Sequence, residues 1–245
     1  MKTLESPEGA RHARMGYFVR PMRLEDIAQV ADVERECFPT GWSATPFRRE
    51  LQSKTAAYLV ACEAAKPSQS YEEAITAMAP VEPVPAPPAS LLQRIAQAVS
   101  GLLSSRSLPP PDFSQYIPGY VGLWFITDEA HITAIGNREI ERRKGIGELL
   151  LISSIEISLR RGLRVVTLET RVSNHQAQAL YVKYGFKKMG IRKGYYTDNR
   201  EDALVMTTDQ ISSPAYIELF TQLRRRHAER WGDSVRLLEP APAAG

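Results

Sequence analysis

Six residues, Arg142-Arg143-Lys144-Gly145-Ile146-Gly147, constrain this chain more than any other stretch, because they follow a strand-like run directly and open a strongly apolar helical one. Glycines there let the backbone come close to a ligand. The first N–H groups of the helix have no partner within it, and its dipole favours an anion. Three adjacent cations add local attraction. The pattern predicts a cradle for a diphosphate. Its spacing fits neither the dinucleotide fingerprint nor the Gly-x-x-x-x-Gly-Lys-Ser/Thr phosphate loop, so both of those readings lose support. A Gly-x-Gly at a helix start also arises as plain turn geometry, and the rest of the chain has to supply the chemistry.

Around the loop, strands are expected at residues 56–62, 119–127, 131–136, 164–172, 186–191 and 202–208. Helices are expected at 20–37, 46–51, 145–161 and 173–184, the last two stopped by Gly162 and Gly185, with a further one at 216–231. Ser173 and Gln176 have the spacing of a capping box. Strands followed by helices predict an α/β (α+β) fold, a mixed sheet covered by helices. Residues 64–118 interrupt it. Pro80 to Pro88 and Pro109 to Pro111 suit linkers, while Leu91, Leu92, Ile95, Val99, Leu102 and Leu103 mark an amphipathic helix. The expected organisation is a leader at 1–15, a domain formed by 16–63 and 119–210, an insertion at 64–118, and a helix and tail at 211–245.

Charge and cysteine usage exclude several classes. The chain carries 31 Lys and Arg against 28 Asp and Glu, far from the density of a nucleic-acid binder, and no direct nucleic-acid partner is expected. Cys37 and Cys62 show no metal-ligand spacing and are read as buried apolar side chains in a reducing compartment. Neither a secretory signal nor a run of about 18 apolar residues is present, so a cytoplasmic protein without a transmembrane segment is expected.

The blocks that follow the loop carry a resemblance. Leu168-Glu169-Thr170-Arg171-Val172-Ser173-Asn174, then Ala179-Leu180-Tyr181-Val182-Lys183-Tyr184-Gly185-Phe186, then Gly194-Tyr195-Tyr196 with Arg200-Glu201-Asp202-Ala203 resemble the RimI-type N-acetyltransferases of the GNAT superfamily. Phe38-Pro39 and Trp42-Ser43 match that group's Phe-Pro-Trp-Ser. The likeness covers about residues 16–62 and 119–210, and the order of the blocks makes it specific. It implies the GNAT fold, acetyl-CoA as co-substrate without a metal, and a protein or peptide with a free N-terminus as acceptor. The family's usual target is the N-terminal alanine of a small-subunit ribosomal protein.

Residue by residue, the resemblance puts main-chain contacts to the pantetheine arm on Ile135, Gly136 and Asn137, and the diphosphate on Arg142, Arg143, Lys144, Gly145, Ile146 and Gly147. Asn137 departs from the family's small apolar residue. Glu169 corresponds to the general base, with an ion pair to Arg171 as the structural alternative. Tyr181 corresponds to the general acid; Ala177, Leu180, Tyr181 and Tyr184 also form the stripe a helix buries. Asn174 corresponds to a cofactor contact and equally suits a helix cap. Tyr195 and Tyr196 correspond to the tyrosine pair at the peptide mouth, where a hairpin rim is the alternative. His131 and His175 read as surface or strand-end histidines with no constellation around them.

In this chemistry an amine attacks the thioester directly, with no metal and no covalent enzyme intermediate, so positioning lowers much of the barrier. An α-amine near pKa 7.8 has on the order of a few hundred times more neutral form at pH 7 than a lysine near 10.4, so a single carboxylate base suffices for it. Two alternatives stay open: a polyamine, lysine or small-molecule amine as acceptor, and a noncatalytic acyl-CoA-binding scaffold. The insertion could cap the peptide groove or mediate a homodimer, and composition does not choose.

Overall fold

Alternation along residues 59–62 sets the architecture. Leu59 and Ala61 pack into one apolar cluster while Val60 and Cys62 pack into another, as a strand covered on both faces must. The structure, a computed structural model, describes residues 14–38, 44–64 and 115–238. The expected helix in the insertion, Pro39, Trp42 and Ser43, and the tail from 239 lie outside the described residues. No helix among the described residues is long and apolar enough to cross a membrane.

One sheet contains β1 (Tyr17–Pro21), β2 (Ala56–Glu63), β3 (Gly119–Ile126), β4 (Glu129–Asn137), β5 (Val165–Arg171), β6 (Phe186–Tyr196) and β7 (Glu201–Thr208). Their order is β1-β2-β3-β4-β5-β7-β6, with β4 and β5 parallel and the other neighbours antiparallel. Helices α1 (Ile27–Cys37) and α2 (Phe47–Glu50) pack into the Val60 cluster; α3 (Ile146–Arg160), α4 (His175–Lys183) and α5 (Pro214–Trp231) pack into the Leu59 cluster. This is the mixed, helix-covered sheet that the sequence pattern implies. In α3, Ser153, Ser154 and Ser158 are buried, and each hydroxyl donates to the carbonyl four residues earlier, so the helix enters the core with no polar atom left over.

β1 corrects the expected helix at 20–37. Tyr17 to Pro21 pair with Glu63 to Leu59, and α1 begins only after a short 3-10 turn at Leu24–Asp26. Arg20 reaches across that turn, Nη1 to Asp26 Oδ2 at 2.6 Å and Nη2 to Asp26 Oδ1 at 2.9 Å, with both side chains buried. The helical spacing of Ile27, Val30 and Val33 extends backward on paper into residues that the buried fork claims for the strand.

Two features position the site. Between β3 and β4 the register slips, Gly122 opposing Ala134 and Leu123 opposing Ile132, which leaves Thr133 as an extra residue. Such a bulge bends its strand. β4 pairs with β5 from Glu129–Val165 to Ile132–Leu168 and no further, so beyond the bulge the two parallel strands part. The second feature is α5, which returns to the start of α3. His227 Nε2 lies 3.1 Å from the Gly145 carbonyl oxygen; burial lowers the pKa of this ring, and its N–H donates. Residues 233–237 then run beside β1, with Val19 N–H on Val235 O at 2.9 Å and Leu237 N–H on Val19 O at 2.8 Å, covering a sheet edge that would otherwise be open.

Gly145 has φ 79°, and a Cβ there would meet the Trp231 ring at 2.8 Å; Gly162 has φ 70° with nothing within 4 Å. Gly145→Ala is therefore expected to lose more stability than Gly162→Ala, for which backbone strain alone costs about 1 kcal/mol. Urea unfolding of both variants checks this, and equal losses would show that the Trp231 contact adds nothing.

Candidate active site

Where β4 and β5 part, a cleft of about 640 Å³ opens, lined by Tyr58 of β2, Trp124 of β3, His131 to Ile135 of β4 and Leu168 to Arg171 of β5. Asn174, Tyr181 of α4, and Tyr195 and Tyr196 of β6 complete this wall. Of the residues expected from sequence, Glu169, Tyr181, Asn174, Ile135, Tyr195 and Tyr196 thus meet around one space. Gly136, Asn137 and residues 142–147 lie on the run that leads out of it along β4 to the start of α3.

Both carboxylate oxygens of Glu169 are engaged in the cleft wall. Its side chain is 6% exposed, with Oε2 3.0 Å from His131 Nε2 and Oε1 2.9 Å from Arg192 Nη2. The hydrogen bond and charge of His131, and the charge of Arg192, hold its carboxyl below the usual carboxylate range, against the opposing effect of burial. Arg171 is engaged elsewhere, with Asp198 at 2.8 Å, Glu201 at 3.1 Å and the Tyr196 ring at 3.9 Å. The Arg171 alternative for Glu169 therefore falls away.

His131 is corrected as well, because a constellation does surround it. Its Nδ1 lies 2.8 Å from Thr167 Oγ1, and the Thr167 hydroxyl donates to Glu129 Oε1. His131 is thus tied to Thr167 through Nδ1 and to Glu169 through Nε2. The residues missed by sequence reading, His131, Thr167 and Arg192, converge through strand register: His131 opposes Thr167 in the parallel pair, which no local pattern reveals.

Tyr181 is both a core residue and part of the cleft wall. It packs in the core against Phe186, ring centroids 5.7 Å apart, and it lines the cleft. Among the described residues its hydroxyl has no hydrogen-bond partner, while no fully buried polar side-chain atom lacks one, so this hydroxyl opens onto the cleft. Burial, with Tyr196 nearby, raises its pKa and keeps it protonated. Tyr195 and Tyr196 stand edge to face at 5.3 Å. Burial pushes Tyr196 up to about 12. Asn174 caps α4, its Oδ1 accepting from Ala177 N–H at 3.1 Å, in place of the expected Ser173 box.

At the far end of β4, Arg142 is in extended conformation, Arg143 has φ 66° and Gly145 is left-handed. The Leu149 N–H is the first to bond back, to Gly145 O at 2.9 Å, which leaves the N–H groups of Ile146, Gly147 and Glu148 without helical partners. A Cβ on Gly147 would meet no more than Asn137 Oδ1 at 3.5 Å, so the ground above it is open. Lys144 pairs with Glu141 at 2.9 Å and Arg142 with Glu139 at 3.4 Å. Cys37 and Cys62 have thiol pKa values pushed up to about 11 by burial, as apolar packing residues would. Among the described residues no group of three or more His, Cys, Asp or Glu is placed to hold a metal ion.

This geometry has counterparts in known proteins. Residues 113–186 match the Acetyltransferase (GNAT) family. A Bacillus subtilis protein provisionally named ribosomal protein bS18-alanine N-acetyltransferase is 32% identical over 188 residues, covering 77% of this chain and 92% of its own. An N-alpha-acetyltransferase of Sulfurisphaera tokodaii is 28% identical over 191 residues, 78% of this chain and 91% of its own. In fold, the chain is similar to the ribosomal-protein-S18-alanine N-acetyltransferase of Escherichia coli, with TM-score 0.53 and 20% identity over 79% of this chain and 94% of that one. The chain belongs to the GNAT acetyltransferase family, as an acetyl-CoA-dependent N-acetyltransferase of the RimI type.

Proposed function

We propose that this enzyme acetylates the N-terminal α-amine of a protein, and that the acceptor is the N-terminal alanine of a ribosomal protein of the bS18 type named for its relatives. The observation that carries the reading is the buried Glu169–His131 couple facing the same cleft as the free Tyr181 hydroxyl. A proton acceptor and a proton donor then flank one space, with the Tyr195–Tyr196 pair at its rim.

The residues present fit acetyl-CoA. The unpaired N–H groups of Ile146, Gly147 and Glu148, with the cations of residues 142–144, suit a diphosphate. The half of β4 that has left β5, residues 135–137, has a backbone edge for an extended arm. Acetyl-CoA supplies a thioester carbonyl open to direct attack. Glu169 with His131 takes the proton that the attacking nitrogen gives up, directly or through water. Tyr181 returns a proton to the sulfur as the carbon–sulfur bond breaks, and the aligned cleft supplies the orientation.

Two measurements test the parts separately. Gly147→Ala sits inside a helix, where alanine is favoured by roughly 0.5–1 kcal/mol, so the variant folds at least as stably as the parent. Its acetyl-CoA affinity by calorimetry is expected to drop about tenfold, the scale of one charge-assisted hydrogen bond, because the added methyl holds the diphosphate away from the backbone N–H groups; unchanged affinity would remove this loop from the phosphate site. Glu169→Gln should bind acetyl-CoA normally and lose about a hundredfold in kcat, and normal turnover would overturn its role as base. Mass spectrometry of peptide libraries and an amine panel identifies the acceptor; faster turnover of polyamines or lysine side chains than of N-terminal alanine would refute the proposed target.

A further inference from the structure

Both oxygens of the Glu169 carboxylate are occupied: Oε2 by His131 at 3.0 Å and Oε1 by Arg192 at 2.9 Å. An acceptor arriving as an ammonium ion needs one of them. The two occupants differ in how firmly they are held. His131 is 21% exposed and fixed on its other side by Thr167. Arg192 is 56% exposed and sits on the edge strand β6 just where its register with β7 breaks: Arg192 opposes Ala203, Tyr196 opposes Glu201, and three residues between them, including Gly194 at φ 57°, face one. Its guanidinium also stands 5.6 Å from the centroid of the Tyr195 ring.

We propose that Arg192 is a displaceable counter-ion that holds the Glu169 oxygen meant for the acceptor, so that an incoming α-ammonium binds by exchanging with this guanidinium. The inference rests on the reading of Glu169 as the group that receives the acceptor amine. An ammonium replaces a guanidinium at the same carboxylate, so charge in the cleft is conserved during exchange. A neutral group in the acceptor's place would leave Arg192 where it is. Arg171, the nearby alternative cation, is fully engaged by Asp198, Glu201 and Tyr196 and cannot take over. Arg192 thereby acts as a positioning and selectivity residue, occupying the site of the amine until the amine arrives.

The test is steady-state kinetics of Arg192→Met and Arg192→Lys with a peptide bearing N-terminal alanine, alongside Glu169→Gln. Without a competing cation, Arg192→Met is expected to lower the acceptor KM about two- to fivefold, the size of a partly exposed ion pair. Its KM for acetyl-CoA should not move. Arg192→Lys, which restores a cation, should bring the acceptor KM back toward the parental value. An acceptor KM that rises in Arg192→Met would show that Arg192 grips the acceptor, and one that stays put would show that it does not compete; either result overturns the proposal. Normal turnover by Glu169→Gln fails the underlying base assignment instead, and is read from kcat independently of the Arg192 variants.

Discussion

One extra residue in β4 controls most of what this fold can do. Thr133 has no partner in β3, and the bend it introduces ends the pairing of β4 with β5 at Ile132–Leu168. A parallel pair that stayed hydrogen-bonded would leave no gap between the two strands. Because the strands part, the side chains of β5 beyond Leu168 look into a space, and the backbone of residues 135–137 keeps one edge free. The proposed substrate cleft and the proposed extended-arm surface are two sides of the same interruption, which is why the expected site residues come together although β4 and β5 are separated by the whole of α3.

The start of α3 depends on a second constraint from far along the chain. Gly145 adopts a left-handed conformation with its open side against Trp231, and His227 donates to its carbonyl. Both belong to α5, outside the segment 113–186 that matches the family. The loop's own residues explain why it can take its shape; α5 explains why it keeps that shape, since Arg143 and Gly145 at positive φ are costly or floppy without something to hold them.

Local chemistry in the sequence made the loop, the strand and helix succession and six cleft-lining residues legible, because each rests on residue type at short spacing. Asn174 as a cap and the core stripe of Tyr181 were likewise readable. What escaped depended on register. β1 hid beneath a helical pattern until the Arg20–Asp26 fork and the pairing with β2 claimed it. His131 looked isolated because its partners lie on another strand, aligned by a parallel pairing that a chain read in order cannot show. Arg171, two residues from Glu169 on the same face of β5, was the obvious neighbour in sequence; it turns away because Asp198 in the loop after β6 and Glu201 at the start of β7 take it up.

The electrostatics around Glu169 bear on which amines suit this cleft. A carboxylate held low by an imidazole and a guanidinium is a weaker proton acceptor than a free one. An α-amine with pKa near 7.8 already offers a neutral fraction of roughly a tenth at pH 7, whereas a lysine near 10.4 offers about a few hundred times less. On the proposed mechanism, preference for a chain terminus then follows from the weakness of the base as much as from the shape of the rim. Strengthening the base by stripping its cations would widen the range of amines it can serve, and the price is the charge exchange that brings the correct one to the right oxygen.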